Sequence, residues 1–468
     1  MNKIAQLARL HSLAYSCIAS LLRTHNMNNF LTNLNDVKGI NEIIMKNKFL
    51  KLLIIILIPL LLTSCVGEEP NDIGYITALG IDKTDEGFRY TIQFANPTKI
   101  SGGASEEGGS GSNIVENIAV DAPTLYSAIN NANTIVSKDL SLSHAKLIVT
   151  SEDVAKEGLS EIADSIARNN DIRPDMYLAV AEDAGEYLEG VKPVIELNPV
   201  KYYQLTYENK KGGPVPQNNA SKFYTAYKSK DRDCALPLAG VAGIDEEGGT
   251  TDAGSGSGSG DEEPKENEKN KNAKAIEEEF QKGSKNYYPG EAGVKIKNKS
   301  EAMGLAVFCG DTYIGKLGTG DAYIYNILMG DITNSRATFY DEMNPKTPMT
   351  MSLDEKDTPS YHIDRDTKHV YVELTIEAEL LSVPQKHNND KDLDKRTSEM
   401  ISHATENFLK RVYTDMGSDL VGIRGKLKRF YLSNIDYNKS IEGFNPKDWT
   451  FSVNTDLKIK RTGMTYYY

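Results

Sequence analysis

The chain has 468 residues, enough for two or three domains that each bury their own hydrophobic core. It carries a formal net charge of -13, which excludes a nucleic-acid partner because phosphate binding needs clustered lysine and arginine. Four cysteines without a Cys-x-x-Cys pair predict neither a zinc site nor a disulfide framework: Cys17, Cys65, Cys234 and Cys309.

The first element is an export signal that ends at Cys65. Three lysines precede the apolar run Leu52–Leu62. This run is shorter than the roughly 20 apolar residues of a membrane-spanning helix, so we predict a removable signal. Its ending, Leu62-Thr63-Ser64-Cys65, resembles the bacterial lipobox, in which the cysteine sulfur receives a diacylglyceryl group and the cysteine becomes the mature N-terminus. The alternative interpretation is a buried hydrophobic segment that ends at an incidental cysteine.

Residues 1–44 precede the lysines of this signal. Because a signal begins close to its lysines, we expect Met45 to be the working start. Residues 1–64 are therefore assigned to the signal peptide and its extension, and residues 65–71 to the lipid-anchored N-terminus.

Residues 72–240 alternate between strand and helix patterns. Two apolar runs separated by Asp82–Gly87 predict a hairpin. Apolar residues at helical spacing from Ala155 to Ile166 predict one helix, with Ser151 and Asp153 placed to cap its start. The predicted strands are 73–81, 88–94, 113–120, 145–149 and 176–181, and the predicted helices are 125–136, 155–166 and part of 184–205. This order is typical of an α/β domain.

Residues 241–296 are predicted to be a disordered linker. Residues 245–274 contain no large apolar side chain, so burial cannot offset the entropy lost on ordering them.

Residues 297–468 are predicted to form a second domain. Strict alternation of apolar and polar residues over His369–Leu381 indicates a strand with one buried face. An amphipathic helix follows, opened by Thr397 or Ser398. The other predicted elements are strands at 304–309, 312–314 and 451–459 and helices at 321–329 and up to about 431. The pattern is that of an α+β domain with a mixed, largely antiparallel sheet.

No group of residues predicts a catalytic, cofactor-binding or metal site. The segment Gly310–Lys316 has the glycine and lysine spacing of a phosphate loop, but Leu317 stands where serine or threonine must reach Mg²⁺, and we expect a strand turn. Three alternating aspartates mimic a calcium loop without its turn glycine or bidentate glutamate: Asp390, Asp392 and Asp394. The histidines are expected at the surface or in the core: His144, His362 and His369.

The sequence leaves two points undecided: the surroundings of the C-terminal aromatic residues and the pairing of two cysteines. Trp449 and the tail Tyr466–Tyr468 suit either an interface or, as we prefer, a core tryptophan and a frayed terminus. An exported compartment would permit Cys234 and Cys309 to pair, but the sequence does not fix their separation.

The order of several motifs resembles the GerAC-type spore germination lipoproteins, the C subunits of germinant receptors. The resemblance covers most of the chain after Cys65. The motifs are Asn71–Lys83, Tyr90–Pro97, Leu142–Lys146, Ile166–Arg168, Arg173–Val180, Leu305–Phe308, Gly315–Leu317, Gly443–Trp449 and Arg461–Gly463.

This resemblance implies a protein with no reaction and no cofactor of its own. It implies a membrane-lipid anchor through Cys65 and assembly with integral-membrane A- and B-type receptor subunits, on the extracytoplasmic face of the spore inner membrane. The alternative function is a lipid-anchored solute-binding protein, which would need two matched lobes around a cleft.

Overall fold

The computed structural model describes residues 72–95, 115–169, 171–193, 195–196, 198–208, 214–242, 287–289, 291, 300–341, 344–382 and 392–461. The chain divides into two compact units, Met1–Pro70 and Asn71–Tyr468, and every described residue belongs to the second. The lipobox, the linker apart from a few residues, and the tyrosine tail lie outside the described residues.

The first sheet has nine strands within the described residues, in the order β3-β2-β1-β5-β6-β7-β8-β9, with β4 paired to β1. β1, β5, β6 and β7 are parallel, and antiparallel strands flank them on both sides. The strands are β1 (Ile73–Thr84), β2 (Gly87–Ala95), β3 (Val115–Ala122), β4 (Asp139–Ser141), β5 (Leu147–Ser151), β6 (Tyr177–Ala181), β7 (Ala235–Val241), β8 (Ser300–Cys309) and β9 (Thr312–Leu317).

Helices cover this sheet and explain why β5 and β6 are buried along their whole length. The helices are α1 (Leu125–Asn133), α2 (Glu152–Glu157), α3 (Ser160–Arg168), α4 (Ala184–Gly190), α5 (Pro199–Tyr207) and α6 (Ala220–Ser229). The predicted α/β character of the first half is therefore confirmed.

The helix predicted over 155–166 is wrong in one respect, because the chain breaks into α2 and α3. Ser151 caps α2 as predicted, its side chain accepting a hydrogen bond from the Val154 N–H. Gly158, with a φ of +108°, then leaves the helical region. A Cβ at Gly158 would lie 2.8 Å from Oδ2 of Asp311, so this break is held by the β8–β9 turn.

The hairpin β8–β9 lies beyond the predicted linker, yet it pairs with β7 and completes the first sheet. Successive residues of β8 point to opposite faces. Ala306 and Phe308 pack in the first hydrophobic cluster, whereas Leu305 and Val307 pack in the second. One strand thus separates two cores, which joins the two halves of the chain.

The second sheet has the order β10-β11-β12-β13. Its pairs are antiparallel except for β12 with β13, which confirms the predicted mixed, largely antiparallel sheet. Its strands are β10 (Ser335–Asp341), β11 (Asn344–Asp364), β12 (His369–Ser382) and β13 (Thr450–Arg461), and its helices are α7 (Thr319–Met329), α8 (Leu393–Lys410), α9 (Ile423–Leu427) and α10 (Asn434–Ile441). A π-helical turn, Arg411–Met416, follows α8, and 3-10 turns occupy Lys428–Phe430 and Pro446–Asp448.

The predicted start of α8 at Thr397 or Ser398 is wrong. Both residues lie inside the helix, which begins at Leu393. Thr397 is fully buried, and the Ser398 hydroxyl donates to the carbonyl of Asp394, four residues back, so neither side chain caps the helix.

The open questions on Trp449 and the thiols have structural answers. Trp449 is buried in the second hydrophobic cluster, which confirms the preferred core position. Cys234 and Cys309 are both free. Phe308 donates its N–H to the carbonyl of Cys234, so Cys309 lies one residue past the position opposite Cys234 and points to the other face of the sheet.

Candidate functional site

A buried ionic cluster connects the first sheet to the helices of the second half. We call Asp233, Asp419 and Arg424 the junction cluster. An Arg424 Nη2 donates to Oδ1 of Asp233 at 2.8 Å, and Arg424 Nε lies 3.4 Å from Oδ2 of Asp419. The side chain of Asp233 is 2% exposed, that of Asp419 is fully buried, and that of Arg424 is 21% exposed. One guanidinium thus neutralises two buried carboxylates from distant parts of the sequence.

Backbone groups complete the coordination of both carboxylates. Asp233 accepts hydrogen bonds from the N–H groups of Gly310 and Asp419. Asp419 accepts from the N–H groups of Ile423 and Arg424 and from the Tyr413 hydroxyl. Buried charges remain in a protein only when paired and hydrogen-bonded in this way.

The electrostatics of the junction cluster favour a structural role. Burial raises the pKa of Asp419 to about 6, against the opposing effect of its hydrogen bonds and of Arg424. Burial also lowers the pKa of Arg424, but the two aspartates raise it overall. Asp419 and Arg424 are therefore charged at neutral pH. Both carboxylates accept hydrogen bonds from protein groups, whereas the buried Nε of Arg424 has no hydrogen-bond partner among the described residues. The cluster can therefore fix the two halves together.

Among the residues that the structure describes, the first sheet carries a smaller and a larger concave region. The smaller, of about 270 Å³, lies at the carboxyl ends of β6 and β7, where acidic side chains face Lys316. The larger, of about 340 Å³, lies between β1, β2, α1, α2 and α3. We call this larger space the α2–α3 cavity. Apolar residues line its interior, and polar side chains line its edge.

An exposed apolar patch lies after α9. Leu432 is fully exposed, Ile435 is 67% exposed and Phe430 is 40% exposed. The guanidinium carbons of Arg365 and Arg429 lie 4.9 and 5.0 Å from the Phe430 ring centroid. This positively charged apolar surface, which we call the Phe430 patch, stands out on a chain with a net charge of -13.

The residues singled out in the sequence fall in different places. Gly310 lies in the turn between β8 and β9, so the phosphate-loop spacing is a strand turn as predicted. His144 and His362 are exposed, and His369 bonds to the Thr450 and Ser452 hydroxyls. Within the described ranges, no group of three or more His, Cys, Asp or Glu residues could hold a metal ion.

The predicted lipobox, Leu62-Thr63-Ser64-Cys65, and the aspartate at 390 lie outside the described residues. Among the helices that the structure describes, none has the length and apolar character needed to span a bilayer.

Comparison with known proteins gives matches over both halves of the chain. Residues 67–241 match the family model of the spore germination protein N-terminal domain, and residues 303–463 match the spore germination B3/GerAC-like C-terminal model. The putative spore germination protein YfkR of Bacillus subtilis is 29% identical over 127 residues, which cover 27% of this chain and 33% of that protein. The chain thus spans a third of the length of YfkR.

Spore germination protein GerQC of Bacillus cereus is 20% identical over 337 residues, which cover 70% of this chain and 77% of that protein. The crystal structure of the GerBC protein has a TM-score of 0.43 and 12% identity, and the match covers 82% of this chain and 96% of that chain. Because the two family models together match most of the sequence, this chain belongs to the GerAC-type family of spore germination proteins.

Proposed function

We propose that the chain is the lipoprotein subunit of a spore nutrient-germinant receptor, anchored by a diacylglyceryl group at Cys65 on the extracytoplasmic face of the spore inner membrane. The order of segments carries this proposal. An apolar run and the sequence Leu62-Thr63-Ser64-Cys65 end immediately before residue 67, where the family match begins. A lipid at this position would hold the folded unit close to the bilayer.

In this proposal the protein acts through contacts with A- and B-type integral-membrane subunits. The family is not a known enzyme family. The buried charges of the junction cluster are paired with one another. The alternative, a solute-binding protein, would need two matched lobes around a cleft. The two sheets differ instead in strand number and direction, which favours the receptor subunit.

The anchor is tested by comparing Cys65→Ser with Cys309→Ser in cells fed radiolabelled palmitate. Cys309 is the matched control because its thiol is exposed but lies in a strand turn far along the chain. We expect Cys65→Ser alone to lose the label and to leave the membrane fraction. Label on the Cys65→Ser protein would contradict the proposed anchor.

The function is tested in spores that lack the gene. We expect them to fail to germinate in a nutrient while they still respond to a non-nutrient trigger. A mutant that germinates normally but loses uptake of one solute would support the solute-binding alternative instead.

We assign the contact with the membrane subunits to the Phe430 patch, in which Leu432 and Ile435 are the most exposed apolar side chains. Flanking Arg365 and Arg429 favour a partner surface that is apolar with acidic groups. The double change Leu432→Ser and Ile435→Ser should reduce co-purification of the membrane subunits. Ile195→Ser, at an isoleucine elsewhere that is 91% exposed, should not reduce it. Equal loss in both variants would contradict this assignment.

A further inference from the structure

The α2–α3 cavity has an apolar floor. Its deepest side chains come from β1, β5 and both helices and are at most 6% exposed: Ile81, Ile148, Val154 and Ile166. Its volume of about 340 Å³ falls at the lower end of the range for small-molecule sites. An apolar body of six to eight heavy atoms would therefore replace water against these side chains.

One polar group stands in this floor. Tyr90 is 5% exposed and lines the cavity, with its ring packed edge-to-face against Phe88 at 6.2 Å between centroids. Within the part of the chain that the structure describes, its hydroxyl forms no hydrogen bond. The hydroxyl oxygen is not enclosed by protein atoms, so water in the cavity can reach it. A ligand with a polar head group could replace this water and form a hydrogen bond with the Tyr90 hydroxyl.

The charged groups at the edge are acidic. Glu157 is paired with Lys83, whereas Glu161 has no cationic partner among the described residues. Glu161 and Tyr90 both line the cavity. Burial and then the carboxylate of Glu161 raise the pKa of Tyr90. An anionic ligand would meet this unneutralised charge, but a neutral or protonated one would not.

The wall of the cavity is fixed from the other half of the chain. The helix break at Gly158 and Leu159 lies at this wall, and the Leu159 N–H donates to the carbonyl of Asp311 at 2.9 Å. The preceding residue, Gly310, donates its N–H to Asp233 of the junction cluster. The cavity therefore lies where the helix expected from the sequence is broken by the contact between Leu159 and Asp311. Such departures from the local sequence pattern are common at functional sites.

We propose that the α2–α3 cavity is a binding site for a small apolar molecule with a neutral or protonated head group that hydrogen-bonds to Tyr90. This goes beyond the receptor-subunit proposal and does not depend on lipid anchoring. Its test uses the unit Asn71–Tyr468, which contains all three hydrophobic clusters and lacks Cys65. Detergent, which would enter an apolar cavity, is thereby avoided.

The probes are hexanol, hexylammonium and hexanoate, which share an apolar body and differ in the charge of the head group. Isothermal titration should give a Kd of about 1 mM for hexanol and hexylammonium, a value typical of ligands of this size. Hexanoate should bind at least about threefold more weakly because of Glu161. Tyr90→Phe should weaken hexanol binding by about threefold to tenfold, since it removes the hydroxyl and keeps the ring.

A blocking variant separates binding in the cavity from binding elsewhere. Ser165 is exposed at the edge of the cavity, so Ser165→Phe should abolish binding of all three probes without disturbing the core. Ala167→Phe, at an exposed position of the same helix that does not line the cavity, should bind like the unchanged chain. Failure of the unchanged chain to bind any probe, or binding that survives Ser165→Phe, would overturn the proposal.

Discussion

Two carboxyl groups in the second half of the chain lie in contrasting surroundings. Asp419 is fully buried, and it accepts hydrogen bonds from Tyr413, Ile423 and Arg424. Glu355 is only half-buried, but its Oε1 is enclosed and has no hydrogen-bond donor among the residues that the structure describes. The more deeply buried carboxylate is thus the one with hydrogen-bond partners.

The surroundings of Glu355 also repel negative charge. Its carboxylate lies against Gly330, where the carbonyl groups at the end of α7 carry partial negative charge, and Asp331 follows directly. Burial and then Asp331 raise the pKa of Glu355 from 4.5 to about 7. Asp419 rises by a similar amount, from 3.8 to about 6, although it is completely buried. Hydrogen-bond donors and a guanidinium thus offset most of the pKa rise that full burial of Asp419 would cause. Glu355 lacks such partners, so partial burial raises its pKa by a similar amount.

The largest effect should come from removing the well-partnered carboxylate. Asp419→Ala leaves Arg424 with one partner fewer and leaves buried N–H groups and the Tyr413 hydroxyl unpaired. We expect a loss of about 3–5 kcal/mol in the free energy of unfolding, measured by urea denaturation of the unit Asn71–Tyr468. Asp415→Ala, at an exposed position on the preceding turn, is the control and should leave the midpoint unchanged. Equal midpoints for the two variants would show that the junction cluster does not hold the halves together.

A smaller loss should follow from removing the shared cation. Arg424→Met leaves the two buried carboxylates of Asp233 and Asp419 without a counter-charge, and we expect a loss of about 2–3 kcal/mol in the free energy of unfolding at pH 8. The deficit should shrink at pH 5, because Asp419 is protonated more readily without the guanidinium. Arg424→Lys should recover only part of the loss, since an ammonium cannot reach both carboxylates as a planar fork does.

The matched control for this change is Arg89→Met, which breaks an exposed ion pair with Asp121. Its unfolding midpoint should stay at that of the unchanged chain, because exposed pairs contribute little. A deficit of Arg424→Met that is the same at pH 5 and pH 8 would contradict the electrostatic account.

The sequence predicted elements whose patterns are local. The alternation in β12 and the apolar runs of β5 and β6 were sufficient to place these strands within one or two residues. β11 was missed, although it spans 21 residues, because prolines, aspartates and lysines interrupt any alternation in it. Pairing with β10 and β12 holds this segment as a strand, although its own composition does not favour one.

The junction cluster and the α2–α3 cavity could not be predicted in the same way. Asp233 and Asp419 are 186 residues apart, and charged residues in an acidic chain are expected at the surface. The break at Gly158 depends on Asp311, which lies beyond the linker. Only the glycine itself, in an otherwise continuous helical pattern, was a local signal.

The smallest effect should be a gain in stability at Glu355, with a defined dependence on pH. Its pKa is higher in the folded state, about 7, than in the unfolded chain, 4.5, so the folded state binds the proton more tightly. The stability that this group contributes is complete below pH 4.5 and is lost as the pH rises through 7. Glu355→Gln removes this pH-dependent loss. At pH 4.5 its free energy of unfolding should therefore equal that of the unchanged chain. At pH 8 it should be more stable by about 1 kcal/mol, a reduced value because the carboxylate is partly screened by water. Urea denaturation at both pH values measures this, with Glu86→Gln, at an exposed position of the turn between β1 and β2, as the control. A gain that is equal at pH 4.5 and pH 8 would show that packing, and not charge, separates Glu355 from Asp419.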